Sequence, residues 1–320
     1  MSTRLPNFLI IGAPRSGSTY LARNLAAHPD IFFAGTGHEY STGDVHFFDV
    51  NKPEGRENAQ KGLDWYAGLF SGAGERPLAG EKTADYLADP DAPGRIRDTL
   101  GPQVRLIACL REPVARAYSH YWHERPNLPL FFDFESAFFD AELNRRIWLQ
   151  DSGLYRRNLN RYFEVFERSR MLVLIHEEVM RDPLGQFRAI CQFLSIDERF
   201  LFPYLGKRIN QTVNSGPPYW TMRAAGLLKR GFPSLFARLV DSPLASGARK
   251  LMRRSRGIPA ASPEGAPEPA AVALEHVALP PDQVERIREF YMSDVRELGT
   301  LLDRNMLDFW WGGGARGTDG

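Results

Sequence analysis

Phe8-Leu9-Ile10-Ile11 is an unbroken apolar run that stops at Gly12. A run this short, without polar alternation, predicts a parallel strand buried on both faces. Residues 104–110 and 171–175 repeat the form, ending at Arg111-Glu112-Pro113 and His176-Glu177-Glu178. Residues 80–86 predict a further short strand. After each main run the apolar spacing turns helical. Leu21, Leu25 and Ala26 follow the first run, and His28-Pro29 closes that helix. Val114, Ala117, Tyr118 and Tyr121 follow the second, and Phe187, Ile190, Cys191 and Leu194 follow the third. Residues 154–166 predict another helix between the second and third strands. Strands alternating with helices predict an α/β chain with a central parallel sheet.

The last third has a different pattern. Residues 220–256 are basic and amphipathic, which predicts helix. Residues 257–273 are rich in Pro and Ala and predict an irregular connection. Residues 282–302 form a strong helical pattern through Val284, Ile287, Phe290, Tyr291, Val295, Leu298 and Leu301. Residues 312–320 are expected to be a disordered tail. The organisation is therefore a core at 1–215 and a helical C-terminal part of the same domain at 216–311.

Composition sets limits on function. The 320 residues carry 40 Lys and Arg against 39 Asp and Glu, a formal net charge of +1. No global field is available to hold a polyanion, which argues against non-specific nucleic-acid binding but allows a local pocket for one small anion. Cys109 and Cys191 are too few for a disulfide framework or a multi-cysteine metal site. Neither a signal peptide nor a membrane-spanning run is visible, so a cytoplasmic protein is expected. His120 and His123 are three apart on a predicted helix, but no further ligands accompany them, and no metal is expected.

Gly12-Ala13-Pro14-Arg15-Ser16-Gly17-Ser18-Thr19 lies between a predicted strand and a predicted helix. In that setting loop amides and a helix N-terminus converge on a phosphate. The spacing matches G-x-x-x-x-G, but Ser18 stands where a nucleoside-triphosphate loop has Lys. The cation has moved into the loop, to Arg15. The missing lysine weakens the alternative of a P-loop kinase or NTPase. A shorter 5′ group fits better. A non-catalytic nucleotide-binding module is a further alternative.

This loop resembles the 5′-phosphosulfate loop of sulfotransferases that use 3′-phosphoadenosine 5′-phosphosulfate (PAPS). Arg111 to Tyr121 resembles the same family's 3′-phosphate motif, with Arg111 and Ser119 at the two phosphate-binding positions. Asp44-Val45-His46-Phe47-Phe48-Asp49, Glu81-Lys82-Thr83-Ala84-Asp85-Tyr86 and Gly153-Leu154-Tyr155 resemble segments of its heparan-sulfate and carbohydrate branch. The similarity runs over most of 7–215 and resumes near 279–311. It implies a P-loop-like three-layer fold with a helical C-terminal extension. It also implies sulfuryl transfer from PAPS, without a metal, to a hydroxyl or amine of a carbohydrate or small molecule.

The resemblance assigns Arg15, Ser16, Gly17, Ser18, Thr19, Arg111, Ser119 and Tyr155 to the nucleotide. Arg15 and Lys82 stand at the transferring group. Asp44 takes the general-base position, where the family has Glu, with Glu39 and His46 as alternatives. Glu39, Asp49 and Glu81 are expected on the acceptor side. Arg156, Arg157 and Asn214 are candidates for the 3′-phosphate or adenine. The family's C-terminal Lys-Gly-Arg loop has no counterpart before residue 279, and Gly206-Lys207-Arg208 has a different order and place. The basic 220–256 segment is a candidate for peripheral membrane or anionic-acceptor contact. The acceptor's identity and the oligomeric state are not encoded in any motif.

Overall fold

The structure is a computed structural model that describes residues 4–35, 43–125, 128, 132–206 and 279–312. Five parallel strands form one sheet: β1 (Phe8–Gly12), β2 (Ile31–Phe33), β3 (Leu78–Lys82), β4 (Arg105–Leu110) and β5 (Met171–Ile175). Their order is β2-β3-β1-β4-β5. Helix α1 (Ser18–Ala26) follows β1, and α2 (Pro53–Gln60) and α3 (Gly62–Gly68) follow β2. Next come α4 (Ala92–Leu100) after β3, and α5 (Pro113–Glu124), α6 (Phe134–Phe139), α7 (Ala141–Ile147) and α8 (Tyr155–Phe163) after β4. Helices α9 (His176–Arg181) and α10 (Pro183–Leu194) follow β5, and α11 (Pro281–Leu302) and α12 (Met306–Trp311) close the described chain.

Alternate residues of a strand point to opposite faces. Phe8 and Ile10 join Leu21, Leu25, Phe187, Ile190 and Leu194 in one core cluster, which places α1 and α10 over that face. Leu9 and Ile11 point the other way and are equally buried. Both faces are therefore covered, which is why the strands read as unbroken apolar runs. The further strand expected at 80–86 is shifted: it spans Leu78–Lys82, and Ala84–Leu87 forms a short 3-10 turn instead. Tyr86 and Leu87 are buried in that turn, so apolar character there reflects packing and not strand.

The described chain falls into two compact units. The first (1–120, 141–210 and 279–320) contains the sheet. Within it the α11 stripe Ile287, Tyr291, Val295 and Leu298 is buried, with α8 as its main partner. The second unit (121–140 and 211–278) includes α6, whose Asp133 caps the helix by accepting the Ser136 N–H at 2.7 Å. In the same unit Tyr121 donates to the Phe132 carbonyl at 2.8 Å. The expectations for 220–256, 257–273 and the tail beyond Gly312 lie outside the described residues. No described helix is long and apolar enough to cross a membrane.

Candidate functional site

In an open α/β sheet, ligands bind beyond the carboxyl ends of the strands, where the strand order reverses. Here that point is β1, with β3 on one side and β4 on the other. The residues leaving these carboxyl ends are the loop 13–17, Lys82, Arg111 and His176. Topology alone thus brings together side chains that are far apart in sequence.

The loop after β1 is bound to the neighbouring strand ends. Arg15 has a left-handed backbone (φ 64°), and its Nε donates to Ser119 Oγ at 3.2 Å. Arg111, just past β4, donates from Nη1 to the Arg15 carbonyl at 3.2 Å. His176, just past β5, lies with Nδ1 3.1 Å from the Ser16 carbonyl. Gly17 caps α1 with φ 95°, and a Cβ added there would lie 3.0 Å from His176 Nδ1. Only glycine satisfies both the backbone and the space. Ser16 is fully buried, and its Oγ has no hydrogen-bond partner among the described residues. The first amides of α1 lack intrahelical acceptors by position. A buried unused hydroxyl, free amides and two guanidinium groups suit the phosphates of a nucleotide.

The second half of the site lies across β3. Lys82 Nζ is 2.7 Å from Asp44 Oδ2 and 3.5 Å from Thr19 Oγ1, and Lys82 is only 3% exposed. Asp44 Oδ1 accepts the Ala84 N–H at 2.7 Å. The segment after Asp44 is held from below. Thr83 Oγ1 accepts the N–H groups of Val45 and His46 at 2.9 and 3.0 Å, and donates to Glu81 Oε2 at 3.1 Å. Tyr66 donates to Glu81 Oε1 at 3.2 Å, and the Tyr86 hydroxyl oxygen accepts the Phe47 N–H at 2.9 Å.

Glu81 and Asp49, expected on the acceptor side, are both fully buried: Glu81 accepts from Thr83 and Tyr66, and Asp49 Oδ2 meets His46 while its Oδ1 has no partner among the described residues. In the parallel register Lys82 pairs with Ile10 and shares its face, while Glu81 pairs with Leu9 and faces the Tyr66 side. Burial lifts the Glu81 carboxyl to about 8, against the hydrogen bonds from Tyr86, Thr83 and Tyr66 that lower it. Asp49 Oδ2 lies 2.6 Å from His46 Nδ1. Burial alone depresses the His46 imidazole, but the Asp49 hydrogen bond and charge, with Asp44 and Asp85 beyond, raise it to about 9. The Asp49 partner thus favours the imidazolium form, in which both ring nitrogens carry protons.

Tyr155 is also buried. Its hydroxyl donates to the Arg111 carbonyl at 2.7 Å, which ties it to the end of β4. The Arg156 and Arg157 amides donate to Asp294 at 2.9 and 3.1 Å, fixing the start of α8 against α11. His120 is turned to Arg116, whose Nη1 lies 3.1 Å from its Nδ1. Glu39 and Asn214 lie outside the described residues. One set of metal-type ligands, His46, Asp49 and Asp85, has atoms within 4.8 Å of one another. His46 already occupies Asp49, and Lys52 Nζ is 3.7 Å from Asp85 Oδ1, so the cluster carries its own cations.

Sequence reasoning missed several residues here. Glu112 caps α5 by accepting the Val114 and Ala115 amides at 3.1 and 2.5 Å. Trp311 Nε1 donates to Glu112 Oε1 at 2.7 Å, and Trp310 Nε1 donates to Glu177 Oε2 at 3.2 Å. Glu177 Oε1 in turn accepts the Glu112 N–H at 2.9 Å. Their place directly after a strand was the available signal for Glu112, His176 and Glu177.

A Sulfotransferase domain model matches residues 5–203. The mouse heparan sulfate glucosamine 3-O-sulfotransferase 3A1 is 32% identical over 216 residues, which is 63% of this chain and 50% of the relative. The mouse heparan sulfate glucosamine 3-O-sulfotransferase 6 is 26% identical over 316 residues, 96% of this chain and 74% of the relative. The match thus spans about half the length of the first of these relatives. A sulfotransferase from Alicyclobacillus acidocaldarius shares the fold, with a TM-score of 0.62 at 23% identity over 94% of this chain and 97% of its own. The domain match covers the loop, Lys82, Arg111 and His176 alike, and the chain belongs to the sulfotransferase family.

Proposed function

We propose that the chain transfers a sulfuryl group from PAPS to a hydroxyl group of a carbohydrate acceptor. The supporting observation is the pairing of two half-sites at one sheet edge: Arg15, Ser119 and Arg111 on the nucleotide side, and Lys82 with Asp44 on the transfer side. PAPS supplies an activated sulfuryl group on a 5′-phosphate, together with a 3′-phosphate. The loop amides, Ser16 and Arg15 hold the 5′ end, while Arg111 and Ser119 hold the 3′-phosphate. The acceptor oxygen bonds to sulfur as the bond from sulfur to the 5′-phosphate oxygen breaks. Asp44 takes the acceptor proton, and Arg15 and Lys82 offset charge on the sulfonate and the leaving oxygen.

Asp49 holds His46 and favours its charged form, which supports Asp44 as base. The imidazolium then contributes a fixed positive charge beside Asp44. The carbohydrate class comes from the relatives, which are named for a heparan sulfate glucosamine hydroxyl. Two buried free cysteines, Cys109 and Cys191, go with a cytoplasmic setting. The test is incubation with isotopically labelled PAPS and a panel of glycans and hydroxylated metabolites, read by mass spectrometry. Labelled product on a carbohydrate hydroxyl supports the reading. Mg²⁺-dependent ATP hydrolysis with no sulfated product overturns it.

A further inference from the structure

Two consecutive carbonyls of the loop after β1 are held from two different strands. Arg111 Nη1 reaches the Arg15 oxygen at 3.2 Å, and His176 Nδ1 reaches the Ser16 oxygen at 3.1 Å. A carbonyl only accepts, so Nδ1 must carry the proton. In an uninterrupted helix the Ser16 oxygen would be taken by an amide of the first turn. Here the ring takes it, and the same ring fills the space beside Gly17 that a Cβ would need.

The charged groups around the ring come from two elements. Arg111 approaches from the end of β4, and Glu177 is the next residue of α9. Glu177 is itself engaged by the Glu112 amide and Trp310. Burial first, and then the Arg111 charge, lower the His176 pKa against a smaller opposing pull from Glu177. These influences favour the neutral ring, whose proton the Ser16 carbonyl places on Nδ1.

We propose that His176 is a positioning residue of the donor-binding loop, holding the Ser16 carbonyl so that the following amides stay directed at the 5′-phosphate. Arg111 performs the same service one residue earlier. The inference rests on the nucleotide-binding reading above and adds a residue to it. It concerns the 5′ end only, because the loop does not reach Ser119 through His176.

Calorimetric titration tests this with the wild type and His176→Ala, His176→Asn and His176→Gln. The ligands are adenosine 3′,5′-bisphosphate and adenosine 5′-phosphate. An Asn amide can place an N–H where Nδ1 lies, whereas a Gln amide extends toward Nε2. His176→Ala is expected to weaken both ligands by the same factor, roughly tenfold. His176→Asn is expected to recover to within about threefold, and His176→Gln to resemble His176→Ala. Thermal midpoints of the unliganded variants identify any that fail to fold, and the Asn and Gln pair then carries the comparison. Equal affinity in all variants overturns the proposal and leaves the nucleotide site intact. Equal loss in the Ala and Asn variants assigns the effect to ring packing and overturns it too. A wild type that binds neither ligand overturns the nucleotide reading, and the role of His176 with it.

Discussion

Asp44 and Lys82 are bound to each other, Oδ2 to Nζ at 2.7 Å, while the second Asp44 oxygen accepts the Ala84 amide at 2.7 Å. The carboxylate therefore has a fixed orientation beside the cation that would meet the transferring group. Asp44→Asn keeps size and shape but removes the basic oxygen. Turnover is expected to fall by about 10²–10⁴. Affinity for adenosine 3′,5′-bisphosphate should stay within a few-fold, because Asp44 is not on the nucleotide side. Single-turnover rates and calorimetry separate the two. A variant that retains full turnover removes Asp44 from the base role.

Ser119 and Arg111 make different predictions although both face the 3′-phosphate in the proposed site. Arg111 also holds the Arg15 carbonyl, and Ser119 accepts from the Arg15 side chain. Ser119→Ala should cost about tenfold in bisphosphate affinity and leave adenosine 5′-phosphate nearly unaffected. Arg111→Ala should weaken both ligands, the bisphosphate more. Parallel titrations give the ratio, and a Ser119→Ala variant that loses both ligands equally would contradict the assignment.

Stability should fall from acid toward alkaline pH. Glu81 at about 8 and His46 at about 9 both bind protons more tightly folded than unfolded. For such raised groups the stabilisation is full below the unfolded value and is lost as pH rises through the folded value. The windows run from about 4.5 to 8 for Glu81 and from about 6.5 to 9 for His46. Within its window each group removes at most about 1.4 kcal/mol per pH unit. The thermal midpoint should drop between pH 6 and 9, and Glu81→Gln should flatten that slope. A midpoint that rises over this range contradicts the buried protonated carboxyl.

The closing helix is coupled to the nucleotide side through indole hydrogen bonds. Trp311→Phe keeps an aromatic ring but removes the donor to Glu112. A loss of about 0.5–1.5 kcal/mol of unfolding free energy is expected. Bisphosphate affinity should weaken modestly, since Glu112 caps the helix that carries Ser119. Denaturant titration and calorimetry on the same sample check both. Unchanged values in each would detach the helix from the site.

The parts of the fold legible in the sequence were those with unmistakable periodicity. Strands β1 and β4 show as apolar runs because both faces are covered, β5 shows as one although it lies at the sheet edge, and α11 shows because its buried stripe repeats along 22 residues. Strand β2 is only three residues long, too short to display a period. Helix α2 buries a single glycine, so it has no apolar face to find. In the site, Arg15, Lys82, Arg111 and Ser119 were legible from motif and strand position. For Glu81 the direction of the side chain was not legible, because a motif does not state which way a strand residue points. Its neighbour Lys82 faces α1, and the two-residue alternation sends Glu81 the opposite way. For His176 only its place directly after a strand was legible; its partner is a backbone carbonyl, which leaves no mark in spacing.

The strand-end arrangement also decides when the pocket comes into being. Arg15 meets Ser119 across 104 residues, His176 meets Ser16 across 160, and Trp311 meets Glu112 across 199. Each contact closes a long loop whose entropy must be met before it forms. No early folding intermediate built from neighbouring segments holds a complete nucleotide cradle. Affinity for the bisphosphate should therefore emerge with the last cooperative step of folding. The nucleotide then acts on the finished chain alone and draws the folding equilibrium toward it by mass action.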